Sequence, residues 1–191
     1  MRNVRDEVFN IKESPLYEYR TQNKYYPVIG EGNHDANILF IGEAPGKNEA
    51  EQGKPFCGAS GRILSEMIAS IGLSRENVYI TNIVKDRPPE NRDPSPAELA
   101  LYSPFLDAQI NIIQPKVIAT LGRFSMKYIL EKFNAPEHTQ TITALHGKVI
   151  QTKAAYGPIH IVPLYHPAVA LYSGSSKKTL LDDVQTLIQF I

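Results

Sequence analysis

Four short runs rich in Ile and Val recur along the chain, at residues 36–41, 78–84, 116–121 and 160–164, and the stretches between them carry apolar residues at helical spacing. Runs of this length with little polar alternation read as strands buried on both faces, and a helix between successive strands makes those strands parallel. The expected fold is α/β, a single domain over residues 1–191 with three α/β/α layers and a central, mainly parallel four-stranded sheet. The first helix puts Ile63, Leu64, Met67, Ile68 and Ile71 on one face before Gly72, a good stop. The second opens on Ser95-Pro96-Ala97-Glu98, a capping box with proline in the first turn, and Pro104 is expected to kink or split it. Further helices are expected over 123–133 and 178–191, and a small edge strand over 147–152.

Ligands of such sheets bind outside the carboxyl ends of the strands. Three segments belong at that rim: Gly42-Glu43-Ala44-Pro45-Gly46, Lys85-Asp86-Arg87-Pro88-Pro89 and Tyr165-His166-Pro167. Gly42 and Gly46 flank a turn that lets backbone approach a ligand, but their spacing fits neither a dinucleotide fingerprint nor a phosphate loop. In Gly53-Lys54-Pro55-Phe56-Cys57-Gly58 an aromatic ring sits in a glycine-rich loop, either as a stacking platform for a planar ligand or as a plug into the core. Asn82 lies inside an apolar strand near its end, where its amide must be satisfied by backbone or by a ligand offering both a donor and an acceptor. An imide edge is such a ligand. His166 emerges at the rim, and Pro167 stiffens the turn that carries it.

Composition narrows the partners. Twenty Lys plus Arg balance twenty Asp plus Glu, so any polyanion must be met by a local patch. The single cysteine, Cys57, excludes an intrachain disulfide and is given no catalytic role. Nowhere do about 18 apolar residues run together, so no membrane span is expected. The first residues lack a signal-peptide stretch, and the cytoplasm is the expected location. A monomer is the default.

These pieces resemble the uracil-DNA glycosylase superfamily, most closely its family 4 type. The resemblance runs through Arg20-Thr21-Gln22, Gly30-Glu31-Gly32-Asn33, G-E-A-P-G at 42–46, G-K-P-F-C-G at 53–58, I-T-N-I-V-K at 80–85, R-P-P-E-N-R at 87–92 and Tyr165-His166-Pro167-Ala168. It implies hydrolytic excision of uracil from DNA, with Phe56 stacking on the extruded base and Asn82 reading its imide N–H and 4-carbonyl. It further implies backbone of Gly42, Glu43 and Ala44 as the pocket floor, and His166 as donor to the 2-carbonyl. Glu43 is the candidate for positioning water or stabilising sugar cation character, and Glu49 for walling off the ring's 5-position. Where other branches carry Asp to activate water, this chain has Ala44.

The resemblance also implies a four-iron, four-sulfur cluster held by four cysteines. The matching positions here are Ile11, Ser14, Asp86 and Tyr102, none of them a thiolate, so no cofactor and no metal are expected, with apolar and hydrogen-bonded packing in the cluster's place. For the DNA partner, Lys85, Arg87, Arg92 and Lys177-Lys178 are the candidate phosphate contacts. Leu171 is the candidate wedge, in a loop with Ser173 that the resemblance sends into the minor groove. Rival readings are a glycosylase for another deaminated base such as hypoxanthine, a module that binds uracil or damaged DNA without turnover, covalent trapping through His146, and a nucleotide-binding α/β protein of another class.

Overall fold

The computed structural model describes residues 1–191. Two helices, α1 (Arg2–Phe9) and α2 (Tyr17–Gln22), precede the sheet. Then follow β1 (Glu31–Gly32), β2 (Ile38–Gly42), α3 (Lys47–Gln52), α4 (Ala59–Ser70), β3 (Tyr79–Asn82), α5 (Pro96–Ile113), β4 (Val117–Leu121), α6 (Arg123–Lys132), α7 (Ile142–Leu145), β5 (Ile150–Ala154), β6 (Gly157–Leu164) and α8 (Gly174–Val184). None of the helices is long and apolar enough to cross a membrane.

The sheet has six strands in the order β1-β3-β2-β4-β6-β5: the four expected at its centre, the expected edge strand and one more. The four anticipated runs form the parallel centre, and β1 and β5 pair antiparallel at its two edges. Edge strands bury one face at most and need no continuous apolar run. Glu31-Gly32 is accordingly silent in the sequence, and the expected edge strand lies slightly later, at Ile150–Ala154.

Side chains alternate across the sheet. Ile38, Phe40, Ile80, Ala119 and Val162 meet α4 and α8 on one face, while Leu39, Ile41, Ile118 and Ile161 meet α5 and α6 on the other. Removing one such fully buried side chain costs about 2–5 kcal/mol. The α4 stripe is the expected one, with Ile63, Leu64, Met67 and Ile68 buried.

Pro104 neither splits nor ends α5, which runs unbroken from Pro96 to Ile113. Proline cannot donate to the carbonyl four residues back, here that of Ala100. The Ser103 hydroxyl donates to that oxygen instead, at 3.1 Å. The final expected helix is α8 followed by a 3-10 turn, Gln185–Phe190.

Because β3 lies on one side of β2 and β4 on the other, the strand order reverses at β2. That reversal opens a crevice at the carboxyl ends of these strands.

Candidate active site

The crevice holds a pocket of about 330 Å³ lined by residues from all three rim segments, among them Glu43, Ala44, Phe56, Asn82, Pro88 and His166. Asn82 ends β3, opposite Gly42 at the end of β2, and His166 lies just past the end of β6. Phe56, Asn82 and His166 thus share one cavity. Gly42, at the end of β2, lies directly against Asn82 and the Phe56 ring. A Cβ on Gly42 would run into Asn82 Oδ1 and the Phe56 ring, so this glycine supplies room for the two side chains.

Phe56 sits in the loop between α3 and α4 with φ +48°, a conformation sparsely populated by side-chain-bearing residues. Its ring lies 5.8 Å from that of His166, the planes inclined by 33°. The loop is held from two sides. Glu49 Oε1 accepts from the amides of Cys57 at 3.0 Å and Gly58 at 2.9 Å. Across the loop, Arg75 donates to the carbonyls of Pro55 and Phe56. Gly61 lets α4 approach the Phe56 carbonyl where any side chain would collide with it. Glu49 does line the pocket, and its role as loop anchor has no counterpart in the sequence reading.

Asn82 is 2% exposed, and its Oδ1 is buried with no hydrogen-bond partner. An orphaned acceptor costs about 1–3 kcal/mol, a penalty that a ligand N–H removes. His166 Nδ1 accepts from the Ala168 amide at 3.2 Å. An amide can only donate, so the neutral ring carries its proton on Nε2. Burial lowers the His166 pKa, opposed by the charge of Glu49, and favours this neutral, donating imidazole. Glu43 has its pKa pushed up to about 7, first by desolvation and then by Asp93, with Arg123 opposing. Asn91, Arg92 and Asp93 also line the pocket.

Lys85 requires correction as a DNA contact. It is fully buried, and its Nζ donates to Thr81 Oγ1, the Asn82 carbonyl and Gln109 Oε1. Burial lowers its pKa to about 7. Its charge is spent inside, under the strand end that presents Asn82. Arg92 donates two hydrogen bonds to the Glu98 carboxylate, at 2.6 and 2.8 Å, and Lys177 pairs with Glu66. Arg87 donates to the hydroxyls of Tyr19 and Tyr25 and to Asn91 Oδ1, none of them charged. Leu171 is 46% exposed beyond the pocket, and Ser173 caps α8 through its Oγ. His146 lines a different pocket, bonded to Asp183 at 2.7 Å, which removes the geometric basis for a trapping role.

The residues at the four cluster positions do not fit an iron–sulfur group. Ser14 Oγ lies 2.7 Å from the Tyr102 hydroxyl, which donates to Asp86 Oδ2 at 2.6 Å, and Arg20 donates to both Asp86 oxygens. Ile11 packs beside them with Val8, Leu16 and Val84. Hydrogen bonds and apolar contacts fill the space, as expected.

The model of the family described as "Uracil DNA glycosylase superfamily" matches residues 29–186. The chain is 46% identical over 185 residues to the type-4 uracil-DNA glycosylase of Sulfurisphaera tokodaii, covering 96% of this chain and 81% of that one. The type-4 enzyme of Archaeoglobus fulgidus is 44% identical over 166 residues, 87% of this chain and 80% of its own. That of Thermotoga maritima is 37% identical over 190 residues, 98% and 93% respectively. Likeness sustained from α1 to the last turn means that the chain belongs to the uracil DNA glycosylase superfamily, on its type 4 side.

Proposed function

We propose that this protein is a monofunctional uracil-DNA glycosylase that draws an extruded uracil from DNA into the pocket and hydrolyses its bond to deoxyribose, leaving an abasic site. One observation carries the reading: Asn82 presents a buried, partnerless Oδ1 in a pocket shared with Phe56 and His166. Its carboxamide accepts from the imide N–H and donates to the 4-carbonyl, while Phe56 stacks on the ring. Stacking on an aromatic offsets about 1–3 kcal/mol of the few that extrusion costs.

When the glycosidic bond breaks, its electron pair leaves with the base and negative charge gathers on the 2-carbonyl oxygen. His166 donates to that oxygen from Nε2–H. Water then adds to the sugar carbon and loses a proton, and Glu43, as carboxylate, steadies the cationic sugar and receives that proton.

An oligonucleotide carrying a single uracil, incubated with the protein and then with alkali, tests this. Strand breakage at the uracil is expected. Retardation without breakage would overturn the catalytic reading in favour of a binding module, and a denaturation-resistant adduct would mean trapping. Breakage at hypoxanthine but not at uracil would change the base.

A further inference from the structure

We propose that Arg75, oriented by Glu31, is a positioning residue that sets the angle of the Phe56 ring, and so the width of the slot into which the base slides. The proposal rests on the reading of Phe56 as the stacking plate. Arg75 follows the end of α4 and its guanidinium spans two successive carbonyls, donating from Nη2 to Pro55 O at 2.7 Å and from Nη1 to Phe56 O at 3.2 Å. The same guanidinium donates twice to Glu31 Oε1, at 2.9 and 2.8 Å. Glu31 belongs to β1, whose pairing with β3 fixes it opposite Ile80, two residues before Asn82. The fork is therefore tied to the strand that presents the recognition amide, and it grips the loop that presents the plate.

Two features make such a grip necessary. Phe56 holds φ +48°, a conformation that persists in an aromatic residue only where its surroundings over-determine it. The loop that carries it also borders a groove on its far side. Phe56 lines the base pocket and, behind it, a second groove of about 420 Å³ bordered by Glu31, Gly61 and Arg75. A planar, bidentate donor suits two adjacent carbonyls in a way that a lysine ammonium does not.

The substrate-free protein gives the first test. The Phe56 ring lies 5.8 Å from His166, so its ring current shapes the His166 Hε1 resonance, which is assigned by its loss in His166→Gln. In Arg75→Met this resonance is expected to move, with partial return in Arg75→Lys. A resonance that stays in place in folded Arg75→Met overturns the proposal. Should Arg75→Met fail to fold, Glu31→Gln is expected to move the same signal in the same direction, and an unmoved signal there overturns the proposal equally.

The second test is a double-mutant cycle on uracil excision. Arg75→Met is expected to lower the single-turnover rate roughly 10- to 100-fold in the wild-type background, the scale of a small misplacement at the reacting centre. It should cost almost nothing further in Phe56→Ala, because the group it acts through is gone. The same loss in both backgrounds would mean a general structural role and overturn the proposal. Absence of uracil excision by the wild-type protein would refute the functional reading alone, since the resonance still reports whether Arg75 sets the ring.

Discussion

His166 illustrates how a single backbone contact fixes a chemical role. With Nδ1 occupied by the Ala168 amide, the only proton of the neutral ring sits on Nε2. Losing one well-placed donor to a developing oxyanion typically costs about 10²–10³ in rate. His166→Ala is expected to lose excision on that scale while its thermal transition stays close to wild type, checked by single-turnover kinetics and calorimetry. Asn82→Asp replaces the amide donor with a second acceptor, so preference for uracil over cytosine is expected to fall, and competition between the two oligonucleotides measures it. Glu43 gives a pH signature. Its pKa is raised to about 7 from the ordinary 4.5, so the carboxylate form is lost as pH falls through about 7. The rate constant kcat/KM is expected to rise with pH across that region. Asp93→Asn removes a like charge and should move this limb to lower pH, whereas Glu43→Gln should abolish it.

At the level of elements, the strands that present the site were legible because each is buried on both faces and carries its own apolar run. Asn82 and His166 could then be placed at one rim by topology, whereas Phe56, in a loop away from the strand ends, was joined to them only through the family resemblance. The elements that tune the site were not legible. The two residues of β1 have no pattern, yet they carry Glu31 and through it Arg75. Lys85 reads as a solvated charge after a strand, and only the packing of α5, which brings Gln109 over β3, turns it inward. Asp86 follows the same logic. Its carboxyl is buried, with a pKa raised by desolvation against the opposing bonds of Tyr102 and Arg20. Arg20 reaches it while also holding the carbonyls of Val8 and Phe9. Removing one member of a buried pair strands the other, typically at about 3–5 kcal/mol. Asp86→Ala is therefore expected to lower the urea midpoint sharply, measured by circular dichroism. A small change would mean that the polar network does not brace the N-terminal helices against the segment leading to Arg87.

Over the whole molecule, zero net charge and the internal pairing of several cations leave little long-range attraction for DNA. Lys85 is interior, Arg92 is matched by Glu98 and Lys177 by Glu66, whereas Arg87 makes only neutral hydrogen bonds beside the pocket. Tyr25 lies 5.5 Å from its guanidinium and holds it in place without cancelling its charge. Affinity for duplex DNA falls with salt with a logarithmic slope of about −0.9 per phosphate neutralised. A protein with few free cations at its rim is therefore expected to show a shallow slope and to depend on the pocket for most of its selectivity. Arg87→Ala should reduce that slope by about 1 and weaken binding alike for uracil-containing and undamaged duplexes. Lys85→Met should leave the slope unchanged, because a lysine held by Thr81, Asn82 and Gln109 releases no counterion when DNA arrives. Binding titrations over a range of salt concentrations separate the two residues. A slope lowered by Lys85→Met and untouched by Arg87→Ala would place the DNA backbone on a surface other than the one next to Phe56, Asn82 and His166.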